Sequence, residues 1–234
     1  MEGKLLNNSK IGNIARFTGG SIVLMAVVAM VTFGFFHERL FPQIVTEEVV
    51  QRHTGSNALL MTIAGWVIIC VLDFIVSWGV YVLLKDKNRM MALISGGLRL
   101  VYTLFLCVAI SKLFILLSEV NKKTMSMTNM AEFIERIGSQ FYFIWQLGLI
   151  IFGVHLVMTG IALIKRFPRM KILFILLILG GIGYCLTSGL VILNLSNTSV
   201  YSVINSIMLL PMIVGELVLG IWLLVKGHAT FNAA

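Results

Sequence analysis

Residues 58–117 read ALLMTIAGWVIICVLDFIVSWGVYVLLK-DKN-RMMALISGGLRLVYTLFLCVAISKLFILL. Two apolar runs, 58–84 and 90–117, flank the basic segment Lys85-Asp86-Lys87-Asn88-Arg89. Each run exceeds the roughly 20 apolar residues that a helix needs to cross a bilayer. Each also carries one ionisable residue near its middle, Asp73 in the first and Arg99 in the second. A charge at the centre of a spanning helix costs about 2.5–3.5 kcal/mol on insertion scales. Residues that costly face the bundle interior and act there.

The same pattern extends outward to four more spans, at about 13–36, 138–164, 172–193 and 201–225. The 234 residues are 59% hydrophobic and 12% charged. A soluble domain carries about 25% charged residues. The expected fold is all-α, a polytopic six-transmembrane-helix bundle forming one integral membrane domain over 1–234. The run from Phe17 to Phe36 ends in Phe33-Gly34-Phe35-Phe36-His37 and not in a small-residue cleavage site, so it reads as a span and not as a signal peptide. Cys70, Cys107 and Cys185 each lie inside a span, with no Cys-x-x-Cys among them, and read as small apolar residues.

The net charge is +8 and the pI about 9.6. The basic residues fall in short segments: Lys4, Lys10 and Arg16 ahead of the apolar run that begins at Phe17, Lys85 to Arg89, Lys165-Arg166-Phe167-Pro168-Arg169-Met170-Lys171, and Lys226 after the sixth span. The positive-inside rule puts those segments, and both termini, in the cytoplasm. No basic surface domain remains to hold nucleic acid. The opposite loops are mixed in sign or uncharged. Two of them carry helical patterns expected to lie on the membrane surface, one beginning Thr46-Glu47-Glu48 and one beginning Asn129-Met130-Ala131-Glu132 with capping-box spacing.

Helix rise sets depth. Asp73 is 12 residues from Lys85, or roughly 18 Å at 1.5 Å per residue. Arg99 from Arg89, His155 from Lys165 and Glu216 from Lys226 are each 10 residues apart, or roughly 15 Å. Half of the hydrocarbon core is about 15 Å. All four residues therefore share one plane at mid-membrane, and Tyr184 in span five falls near it. Three unpaired formal charges at about 3 kcal/mol each would cost roughly 9 kcal/mol, so these residues pair, become neutral or line a wet cavity. Asp73 and Arg99, on antiparallel neighbours, form the first expected pair. His155 and Glu216 form the second.

Small residues add a weak repeat. Each odd span carries a glycine pair, Gly19-Gly20, Gly96-Gly97 and Gly180-Gly181, and each even span an ionisable residue followed by a glycine and a closing lysine. Small residues let spanning helices approach closely. Among the remaining polar residues, Lys112 reads as snorkelling, Arg16 as an interface anchor able to reach a phosphate headgroup or the rim of the cavity, and Gln146 as an interhelical hydrogen-bonder. Pro211 would kink span six beside Glu216.

Other chemistries find no pattern. His-Glu-x-x-His, a phosphate-binding glycine loop and Gly-x-Ser-x-Gly are all missing from the sequence. Asp73, His155 and Glu216 are metal-ligand types on three distant spans, without ligand spacing. Met125-Ser126-Met127-Thr128-Asn129-Met130 reads as a loop entering a helix in a methionine-rich chain, not as a copper site. No cofactor and no metal are expected.

Several short stretches together resemble a known group. They are Arg16 at the start of span one, Tyr81-Val82-Leu83-Leu84-Lys85, Leu98-Arg99-Leu100, Phe152-Gly153-Val154-His155-Leu156, Pro168-Arg169, Gly183-Tyr184, Gly215-Glu216-Leu217 and Trp222-Leu223-Leu224. In this order they resemble bacterial six-span membrane proteins grouped as domain of unknown function 4386. Where that family carries Leu-Gly after the Pro-Arg, this chain has Met170-Lys171-Ile172-Leu173. The resemblance implies a multi-pass protein of the bacterial plasma membrane and supplies no activity.

Three functional readings stand at this point. In the first, Asp73, Arg99, His155, Glu216 and Tyr184 line a site that binds a small molecule, a lipid or a proton, as in a carrier. Six spans are few for a carrier, so that reading brings a homodimer with it. In the second, the protein is an intramembrane enzyme, with His155 and Glu216 as acid and base and Arg99 as an anion clamp. In the third, an accessory or immunity protein uses the polar layer only to fix helix packing. The topology itself makes a prediction: a cysteine introduced at Thr198 is labelled from outside intact cells and one introduced at Lys87 is not, whereas the reverse pattern would invert the orientation.

Overall fold

A computed structural model describes residues 2–42, 44–55 and 57–232, with side chains described from residue 10 onward except at positions 55, 228 and 232. The side chain of Lys4, expected among the cytoplasmic charges, lies outside the described residues. The elements are α1 (Glu2–Val31), a π-helical segment Thr32–His37 leading into α2 (Glu38–Leu40), α3 (Glu47–Gly55), α4 (Ala58–Lys85), α5 (Arg89–Lys122), α6 (Met127–Arg166), α7 (Lys171–Ile192) and α8 (Ser199–Asn232). Among the described residues, six helices are long and apolar enough to cross a membrane: Lys10–Leu40, Ala58–Lys85, Arg89–Lys122, Met127–Arg166, Pro168–Ile192 and Ser199–Gly227. The protein is an all-helical, six-span membrane bundle.

Consecutive spans pack side by side, and α8 returns to pack on α1. The six spans therefore form a closed ring in chain order, α1–α4–α5–α6–α7–α8, each antiparallel to its neighbours. The hydrophobic pattern follows from this arrangement. On α4, Val67, Ile68, Val71, Phe74 and Trp78 are exposed, at helical spacing, toward the lipid. Cys70, Asp73, Val76, Ser77 and Val80 of the same helix are buried.

The expected surface helix at residue 47 is present as α3, with Val49, Val50 and His53 buried. His53 Nδ1 donates to the Val49 carbonyl at 2.9 Å, and burial holds its imidazole below the ordinary proton affinity of histidine. The second expected surface helix is not separate. Residues 127–137 are the first turns of α6, which runs 40 residues without a break. The cap is Ser126, whose side chain accepts from Asn129 N at 3.3 Å, so the Asn129 capping-box reading is replaced by a start three residues earlier. At 1.5 Å per residue α6 is roughly 60 Å long, about twice the hydrocarbon thickness, and its first turns project beyond the bilayer.

Glycines set the helix separations. A Cβ at Gly19 would overlap the Leu224 amide and the Gly220 carbonyl of α8. Gly153 of α6 and Gly181 of α7 face each other in the same way, each against the other's carbonyl oxygen. Thr18 and Thr32 sit on Gly79 and Gly65 of α4, one pair near each end of the interface. The three glycine pairs are not used alike. Gly19 and Gly180 meet α8, Gly96 meets α4, and Gly97 has nothing within 4 Å of a Cβ. The weak repeat is thus a shared habit of small residues, spent on different partners.

Gly19→Ala is therefore expected to destabilise the bundle by about 1–3 kcal/mol, because rigid backbone occupies the space a methyl would take. Gly97→Ala, by contrast, should be neutral or gain up to about 1 kcal/mol of helix propensity. Thermal unfolding of both variants in micelles checks the contrast.

Candidate functional site

The site begins with helix periodicity. Asp73 lies on the inward face of α4 and Arg99 on that of α5, with Ser77 Oγ tying the two helices together by donating to the Gly96 carbonyl at 2.8 Å. Arg99 is 1% exposed and is the largest fully buried side chain among the described residues. Its Nε and Nη2 both donate to Asp73 Oδ1, at 2.9 and 2.6 Å. Its Nη1 donates to Glu216 Oε1 at 2.6 Å and faces His155 Nε2 at 3.4 Å. The remaining Nη2 donor is directed at the Met25 sulfur, 3.6 Å away. Phe152 lies beneath the guanidinium, with Cζ 5.2 Å from the ring centroid, a cation–π distance. Arginine has five N–H donors, and each here has a partner supplied by the protein.

The expected Asp73–Arg99 pair is therefore present. The expected His155–Glu216 pair is not: both residues reach Arg99, which stands between them. His155 Nδ1 contacts the Ser95 carbonyl at 2.8 Å. A carbonyl only accepts, so Nδ1 carries the hydrogen, and the Nε2 lone pair faces the guanidinium. The imidazole is neutral in this arrangement. Protonating Nε2 would set a second cation against Arg99.

Ser95 and Thr159 complete the nest around His155, hydroxyl to hydroxyl, with Thr159 Oγ1 also donating to the His155 carbonyl at 2.8 Å. Sequence reading passed over these two residues. A buried hydroxyl in a helix satisfies itself on a carbonyl one turn back and so carries little cost to draw attention. Their positions hold a signal only in hindsight: Ser95 lies four residues before Arg99 and Thr159 four after His155, on the same helix faces. Cys70 and Cys107 also meet, with sulfurs 3.0 Å apart across the α4–α5 interface, so these two are a thiol pair and not merely apolar filler.

Beside the cluster lies a chamber of about 530 Å³. Asp73, Glu216 and Tyr184 border it, and so do Gln146, Trp66 and Trp145. Arg99 and His155 do not. Sequence reasoning placed all five candidates in one layer, and the structure divides them: two carboxylates and a phenol at the chamber, the arginine and histidine behind. Gln146 belongs to the chamber wall, where a bridge between helices had been expected. Arg16 is exposed in a separate shallow groove between α1 and α4, with Phe17, Gly20 and Leu72, and does not reach the cluster.

The chamber exists because α1 and α8 touch along only part of their length. Gly215, Leu219, Gly220, Trp222 and Leu223 of α8 are buried, but no residue from Ser199 to Val214 is. The exposed lining residues Met30, Leu209 and Ile213 place the opening between these two helices, on the side away from the basic loops.

Fold and site together define a multi-pass membrane protein with a charged centre and a chamber beside it. The chain belongs to the family described as Domain of unknown function (DUF4386), whose match covers residues 17–227 and so includes every residue of the cluster. No curated protein matches the chain, and no solved structure does.

The geometry predicts strong asymmetry among substitutions. Arg99→Met strands two carboxylates and should cost about 3–5 kcal/mol of stability. Adding Asp73→Asn and Glu216→Gln to Arg99→Met should recover much of the loss, read as the midpoint of unfolding in micelles. A triple variant no more stable than Arg99→Met would show that the guanidinium does something other than balance charge.

Proposed function

We propose that this protein binds a small, largely apolar molecule in the chamber between α1 and α8, with the polar end of that molecule against Asp73 and Glu216. One observation carries the reading: two carboxylates of the polar cluster, Asp73 and Glu216, border a cavity of about 530 Å³. That volume lies in the range of small-molecule sites, as does a mostly apolar lining with a few convergent polar groups. The opening between two helices suits a molecule that arrives through the bilayer. A carrier is the simplest use of such a site, working in the bacterial plasma membrane that the family resemblance implies, with both termini in the cytoplasm.

The enzyme reading has less support. Both ring nitrogens of His155 are engaged, and the residue does not border the chamber, so it stands out of reach of a bound molecule. Arg99 as an anion clamp is disfavoured for the same reason, since its donors are already occupied by protein groups. Packing alone explains the Arg99 contacts but needs no chamber.

A thermal-shift screen tests the proposal. Amphiphiles of every charge are compared on the wild type and on Ala26→Phe, which fills the chamber from α1. At least one chemical class should stabilise the wild type by several degrees and leave the filled variant unchanged. If both proteins respond alike to every compound, the chamber is not a binding site.

A further inference from the structure

The charges around Arg99 do not balance. Two carboxylates, Asp73 and Glu216, share one guanidinium, and the nearby His155 is neutral by its hydrogen bonds. The cluster is one positive charge short. In water that would matter little, but at mid-membrane an uncompensated charge is costly.

The deficit faces one way. Both carboxylates border the chamber, and Arg99 lies behind them. Among the described lining residues there is no Lys, Arg or His. Asp73 is 1% exposed, and both Arg99 contacts fall on its Oδ1, so Oδ2 is buried with no hydrogen-bond partner. Glu216 is the more open of the two, with 14% of its side chain exposed. Around them the chamber is walled by aromatic rings, including Trp66, Tyr102, Trp145 and Tyr184. Aromatic residues and a negative floor are the surroundings in which an organic cation is held.

We propose that the molecule bound in the chamber is an amphiphilic organic monocation, such as a protonated amine on an apolar body. Its charge replaces the missing one beside Glu216, the more accessible carboxylate, and the apolar lining takes the apolar part. This rests on the chamber reading of the preceding section. A proton on either carboxylate would also cancel the charge, and it would use neither the chamber nor its apolar lining.

The test uses three compounds that share one body: 4-phenylbutylamine, 4-phenylbutanol and 4-phenylbutyrate. Binding to the purified protein in micelles is followed by tryptophan fluorescence, to which Trp66 and Trp145 of the chamber lining contribute. The ammonium ion should bind about tenfold or more tightly than the alcohol, the difference between a charge-assisted and a neutral hydrogen bond, and the carboxylate most weakly. Glu216→Gln should bring amine and alcohol to within about twofold of each other, because a neutral amide no longer distinguishes them. Asp73→Asn should act in the same direction. Glu216→Gln keeps the Arg99–Asp73 contacts and serves as the primary variant should Asp73→Asn fail to fold.

If the alcohol or the carboxylate binds as tightly as the amine, and Ala26→Phe abolishes that binding, the cation proposal is overturned while the chamber reading stands. Amine binding undiminished by Glu216→Gln also overturns it. Should none of the three bind, the charge of the compounds that separate wild type from Ala26→Phe decides: cations lost on Glu216→Gln support the proposal, and neutral or anionic compounds overturn it. Should no compound separate those two proteins, chamber and cation fail together.

Discussion

A guanidinium at the centre of a membrane has to find five hydrogen-bond acceptors without water. Arg99 finds them on four different helices: Met25 on α1, Asp73 on α4, His155 on α6 and Glu216 on α8. With α5 itself, five of the six spans are fixed around one side chain. Each helix also has to approach closely enough for its short acceptor to reach. That requirement accounts for the glycines. Gly19 and Gly220 bring α1 and α8 together, and Gly79 lets Thr18 of α1 settle onto α4. Small residues would be an odd choice in lipid if apolar volume were the aim; here they shorten the span that charged groups must bridge.

The same constraint orders the spans. Apart from α1 and α8, neighbours in the ring are neighbours in sequence among the spans, so antiparallel packing needs no crossover. Only the α1–α8 contact is distant in the chain. It is also where the exposed lining residues Met30, Leu209 and Ile213 lie. The chamber opens there.

Much of this was legible before any coordinates. Span number, span position and the common depth of Asp73, Arg99, His155 and Glu216 followed from apolar length and helix rise, because the bilayer imposes both. The Asp73–Arg99 pair followed from adjacency. The partners of His155 and Glu216 did not, because rotation about a helix axis and contact between non-consecutive spans leave no trace in spacing. Ser95 and Thr159 were silent because hydroxyls are inexpensive in helices. The chamber was invisible for a different reason. A cavity is a place where packing stops, and sequence patterns report which faces are apolar, not where two apolar faces fail to meet. The start of α6 at Met127 was misplaced since Asn129 and Ser126 both offer plausible caps and only packing selects between them.

Packing and binding are often set against each other as explanations of a buried charge. Here the geometry joins them. A lone Asp–Arg pair would balance and need nothing more; its natural end is a dry, inert contact. Adding Glu216 supplies another helix with an anchor to Arg99, and so helps close the ring, but it also makes the centre negative. The anchor creates the imbalance, and its position on α8, at the point where α8 begins to leave α1, turns the imbalance toward the chamber. Arg99 cannot answer a visiting anion, because its donors are engaged in holding the helices. The carboxylates retain free acceptor capacity, because two guanidinium N–H groups converge on a single oxygen of Asp73. The interaction that holds the bundle together thereby fixes the sign of what its chamber can accept.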